Sequence, residues 1–219
     1  MRMQAASLAA RAAKGRGRFD TAGHRTRFPG MNPIAPAALI ALLAAPALAA
    51  CPPAPDITAA MDDLIAEAQA ATTEREGRMI GNRMWPLWAT APDARAQELL
   101  DEGMQRRSAF DLDGARTAFD ALIDRCPDYA EGWNQRAFVR FLGGDFEGSL
   151  QDLDRALALR PRHVAALAGK GLALIQLGRI AEGQAAIRAA TELNPWLSER
   201  QFLLLDPETG QPRPPQTDL

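Results

Sequence analysis

Apolar residues between positions 57 and 204 recur three and four apart, in blocks separated by short polar or proline-bearing breaks. That spacing predicts a chain of amphipathic helices and no strands. Ile57, Met61, Leu64, Ile65 and Ala68 make the first stripe, so a helix is expected over 57–71, with Asp56 placed to cap it. A second helix restarts at Thr72-Thr73 with Glu74 and Glu76 in its first turn, where the helix dipole favours acids. It runs to Trp88, weakened by Gly81 and Pro86, and its two tryptophans, Trp85 and Trp88, are expected to seal the apolar face of the helices next in the chain. Pro92 and Asp93 open a third helix.

From there the pattern repeats. Pro127, Pro161 and Pro195 each close an apolar helical block, and they stand 34 residues apart both times. A fixed period of this size marks a helical repeat array, in which one helix pair cannot bury its own stripe and must stack on the next. The register is 96–129, 130–163 and 164–197. Within it Trp133, Ala137, Ser149, Leu153, Ala156 and Pro161 in the middle unit correspond to Leu167, Gly171, Gly183, Ile187, Ala190 and Pro195 in the third. The first unit carries Leu99, Gly103, Ala115, Phe119, Leu122 and Pro127, with a large residue at the last small place. Gly144 and Gly178 stand at the inter-helix turns, where the first unit has Phe110.

Those residues and that period resemble tetratricopeptide (TPR) repeats, of an exported bacterial type. The resemblance implies an all-α fold, a right-handed solenoid of helical hairpins with three repeats. An N-terminal helical pair (51–95) would precede them, a capping helix (198–207) would cover the last face, and a polar, proline-rich tail (208–219) would be disordered. Large residues such as Trp133 and Phe119 are expected to fill the space between pairs.

Composition changes the picture only at the N-terminus. Residues 1–50 hold seven of the 25 basic residues and one of the 27 acidic ones, so the remainder carries 18 against 26, a net charge of −8. A body that acidic repels a phosphate backbone, and nucleic acid is excluded as a partner. Residues 1–30 are a basic extension rich in Arg, Ala and Gly; Met31 is an alternative start. Residues 31–50 have the layout of a secretory signal, with an apolar run over 34–48 too short and proline-broken for a membrane span. Ala47-Leu48-Ala49 before Ala50 fits ordinary signal cleavage, while Leu48-Ala49-Ala50-Cys51 fits a lipoprotein signal. The chain has two cysteines, Cys51 and Cys126. An even count in an exported chain points to a disulfide, which across the 74 intervening residues contributes about 4 kcal/mol on the chain-entropy account. Lipidation of Cys51 is the alternative, and the only route to a membrane.

Catalytic chemistry finds no footing. His163 is the one histidine beyond residue 50 and is read as a surface residue at a repeat junction. No set of His, Cys, Asp and Glu has metal-ligand spacing, and Asp111-Leu112-Asp113-Gly114 reads as a helix cap. The expectation is a non-enzyme without cofactor or metal. Arg136 is expected to pair with Asp152 or Asp154. The resemblance implies a protein or peptide partner on the inner face formed by the first helix of each repeat. By register, Met104, Arg107, Glu131, Asn134, Phe138, Phe141, Leu172 and Gln176 are its contact residues, with Phe138 and Phe141 as the apolar anchor. The N-terminal helices either leave that groove open or fold back and fill it. The functional readings are therefore an exported adaptor, a lipid-anchored envelope assembly protein, or a self-associating structural module.

Overall fold

The computed structural model describes residues 51–212; the basic extension, the signal segment and tail residues 213–219 lie outside the described residues. Among the described residues eight α-helices follow one another: α1 (Thr58–Ala70), α2 (Glu74–Trp88), α3 (Ala94–Ser108), α4 (Leu112–Arg125), α5 (Ala130–Leu142), α6 (Phe146–Leu159), α7 (Val164–Gln176) and α8 (Ile180–Leu193). A 3-10 helix, Ser198–Leu204, comes last. The fold is all-α, and among the described residues no helix is long and apolar enough to cross a membrane.

Helix starts are set by local chemistry. Asp93, Asp111 and Asp145 each accept the backbone N–H three residues on, at 2.8, 3.0 and 2.9 Å, which satisfies an otherwise orphaned donor. The Asp111 segment is thus a cap. The turns α5–α6 and α7–α8 pass through Gly144 and Gly178 at φ of 80° and 76°. Phe110 takes the same left-handed conformation, φ 60°, at the α3–α4 turn, although a side chain there costs about 1–2 kcal/mol. The period overrides the residue: Leu112, Phe146 and Ile180 start the second helices 34 residues apart.

Each of α3/α4, α5/α6 and α7/α8 packs as a hairpin, and α4 on α5 and α6 on α7 join hairpin to hairpin. Small residues set how closely the two helices of a hairpin approach. A Cβ added at Gly171 would lie 2.4 Å from Ile187 and 2.9 Å from the carbonyl of Gly183, so this crossing admits hydrogen alone. Phe119, Leu122 and Ile187 are fully enclosed. Trp133 is only half-buried; its indole N–H donates to the Pro127 carbonyl at 2.9 Å, and Arg136 lies 4.9 Å over its ring. Arg136 joins two repeats by holding Asp152 on α6 and Asp120 on α4, both at 2.7 Å, and these carboxylates raise its already high pKa, Asp152 most. Asp154 instead takes Lys170.

Two terminal expectations change. The closing element is a 3-10 helix, its Phe202 carbonyl and that of Leu205 both held by the Gln184 amide. Residues 206–212 are also ordered: Asp206 N–H donates to the Gln211 carbonyl at 2.7 Å, and Leu205 bridges to Pro212. Cys51 and Cys126 are joined by a disulfide with Cα atoms 5.1 Å apart.

Candidate functional site

The first helices of the hairpins touch one another, α3 to α5 and α5 to α7, and so form the inner layer. The N-terminal pair does not seal the first repeat, the expectation for its tryptophans; it reaches over the inner layer to the far end. Trp88, at the end of α2, stacks on His163 with ring centroids 4.5 Å apart, and its carbonyl accepts the Tyr129 hydroxyl at 2.6 Å. Near the start of α2, Gly77 lies against Trp196 beyond α8. On α1, the Ala68 carbonyl accepts the Trp196 indole N–H at 3.0 Å, and Gln69 donates to the Glu192 carbonyl at 2.7 Å. The apolar core of the pair includes Ile65, Ile80, Met84 and Trp88 and takes in Val164 from the start of α7.

What the pair covers is a polar network. Glu131 is 1% exposed, and its carboxylate accepts from Asn134, Gln135 and His163, the last at 2.9 Å. A buried carboxylate is tolerable because three donors replace its water. His163 is fully buried, which overturns its reading as a surface residue. Its Nδ1 accepts the Ala166 N–H at 3.3 Å as the cap of α7, so Nε2 carries the proton donated to Glu131. Burial, and then the Glu131 charge, raise the Tyr129 phenol and keep it a donor. Glu131 is therefore structural, and its expected contact with a partner is withdrawn.

A chamber of about 310 Å³ stays open between α5, from Asn134 to Phe141, and the first half of α7, from Ala165 to Leu172. Arg107, Asn134, Phe138, Phe141 and Leu172 line it together, with Trp85 from α2, Leu153 from α6 and Leu197. Phe138 is 46% exposed and carries the Arg107 guanidinium 4.9 Å from its ring centre. Phe141 packs edge-on against Phe146, which holds its ring in place. Met104 and Gln176 do not line the chamber: Met104 packs against the core of the first repeat, and Gln176 is exposed outside it. Trp85, Ser149 and Leu197 belong to the site and were not legible from the repeat register. The groove is thus neither open along its length nor filled. Among the described residues no cluster of three His, Cys, Asp or Glu is arranged to hold a metal.

No family model matches the chain. It is 29% identical over 122 residues to a TPR repeat-containing protein of Rhizobium etli, covering 54% of this chain and 58% of that one. With tetratricopeptide repeat protein 36 of Homo sapiens it shares 32% over 123 residues, 54% of this chain and 64% of the other. The chain spans roughly three fifths of the length of these curated relatives. Among solved structures, the first TPR of Spaghetti (RPAP3) bound to an HSP90 peptide aligns with 90% of its length and 50% of this chain, at 22% identity and a TM-score of 0.48. The P58(IPK) TPR domain aligns over 66% of this chain and 40% of its own, at 19% identity and a TM-score of 0.43. Three helical hairpins in 34-residue phase, in a chain similar in sequence to tetratricopeptide repeat proteins, give this chain a tetratricopeptide-like repeat array.

Proposed function

We propose that the chain is an exported adaptor that binds a protein or peptide partner through the chamber on the open part of its inner face. The observation that carries this reading is the exposure of Phe138 and Leu142, 46% and 37%, beside an apolar-walled chamber that the chain's own helices leave open. Large apolar side chains held in water at a concave site are the usual anchors of a partner. Export rests on the layout of residues 31–50 and is supported by the Cys51–Cys126 bond, a linkage of oxidising compartments. A Cys51 sulfur in that bond is closed to a lipid, which favours the soluble adaptor over the anchored form.

The test is a photo-crosslinking residue in place of Leu142, in otherwise wild-type chain and in Phe138→Asp, expressed in the native cell. A discrete adduct that disappears with Phe138→Asp is expected. Adducts unchanged by that substitution would remove the chamber from the interface, and adducts only between copies of this chain would make it a self-associating module.

A further inference from the structure

Among the described residues Arg107 is the one cation lining the chamber, and its electrostatic situation is incomplete. Arg125, Arg136 and Arg140, which are also partly buried, each have a carboxylate within 3.3 Å. Arg107 has none in ion-pair range among the described residues; its Nη1 donates to Gln135, and no other acceptor meets its remaining N–H groups. Burial lowers its pKa, only partly countered by the more distant Glu131. A second uncompensated group lines the same chamber: the Ser149 hydroxyl is buried, in a residue 1% exposed, and has no hydrogen-bond partner among the described residues. Glu199, the other charged lining residue, accepts from the Ser198 hydroxyl at 3.1 Å. An apolar chamber with a partly desolvated, unpaired guanidinium beside it is complementary to a ligand that is apolar with an anion close by.

The spacing says more. The guanidinium stands 4.9 Å from the centre of the Phe138 ring, and that ring is itself chamber wall. A ligand that meets both at once carries its carboxylate and its apolar group close together, a spacing that side chains three or four apart on a helix supply, at about 5–6 Å. We propose that the site takes an amphipathic helix of the partner in which an Asp or Glu lies one turn from a large apolar residue. The apolar side chain enters the chamber and the carboxylate pairs with Arg107. This rests on the chamber-binding reading above and narrows its ligand.

A displayed library of helical peptides of about fifteen residues is selected against the wild-type chain, Arg107→Gln, Arg107→Lys and Phe138→Asp. Wild type is expected to enrich peptides with an acid one turn from Leu, Phe or Trp. Arg107→Gln should lose the acidic preference and Arg107→Lys keep part of it. In a selected peptide Glu→Gln should weaken binding to wild type about tenfold and leave binding to Arg107→Gln unchanged. Because that change is made in the peptide, it does not depend on how well a protein variant folds. Phe138-dependent enrichment without an acidic preference overturns this proposal and leaves chamber binding standing. Absence of any Phe138-dependent enrichment overturns both.

Discussion

The inner layer has two halves made from the same helices. Toward the N-terminal ends of α5 and α7, Glu131, His163 and Val164 lie under Trp88 and are almost completely buried. Toward the C-terminal end of α5, Phe138 and Leu142 face water. Repeat register alone treats both halves as one binding surface. What separates them is a helix pair from outside the repeats, which turns one half into core and leaves the other as a site. The covered half should therefore answer to substitution in stability, and the open half in binding.

The sharpest test of that division is Trp88→Ala. It removes the ring stacked on His163 and is expected to cost about 3–5 kcal/mol by thermal unfolding. Hydrogen exchange should speed up at the start of α7; protection unchanged there would mean the N-terminal pair does not cover the inner layer as described. The tether of the cover comes next. Cys51→Ser with Cys126→Ser opens a loop of 74 intervening residues and is expected to lower stability by about 2–4 kcal/mol in oxidising buffer, with no loss in reductant relative to reduced wild type. Equal urea midpoints under oxidising conditions would show the bond contributes nothing.

Smaller effects lie at the turns and on the open half. Phe110→Gly should relieve the left-handed strain, offset in part by the greater freedom of glycine in the unfolded chain, for a gain of up to about 1 kcal/mol. A loss instead would mean that the 70%-exposed ring makes a stabilising contact. Phe138→Ala should change the melting temperature least, by the equivalent of about 0.5 kcal/mol or less, while abolishing the crosslinked adduct. A large stability loss with binding retained would reverse the roles of the two halves.

Legibility followed the range of the interactions. The caps at Asp93 and Asp111 and the turn glycines act over a few residues, and the fit of Gly171 on Ile187 acts within one hairpin. The turns and the small residues at the crossings recur with the period and could be read from it, while the Asp111 cap recurs at Asp145 but not at α8, and the Asp93 cap does not recur at α5. Phe110 shows the same thing from the other side, since a residue poorly suited to its turn still takes the turn's conformation. His163 defeats sequence reasoning because its neighbours in sequence, Arg162 and Pro161, are exposed, while its true neighbours, Trp88 and Glu131, are 75 and 32 residues away. Trp85 escapes the register for the same reason. Arg107, Asn134, Phe138, Phe141 and Leu172 share the chamber as the register implied, whereas Met104, Gln176 and Glu131 do not.

The sequence by itself determined the helices, their pairing into hairpins and the order of the stack, because turns and small residues at crossings are local and repeat every 34 residues. Only the tertiary structure decided how much of the inner layer is free to bind. That depends on where α1 and α2 come to rest, and a helix pair that occurs once, outside the period, finds its place through long-range burial alone.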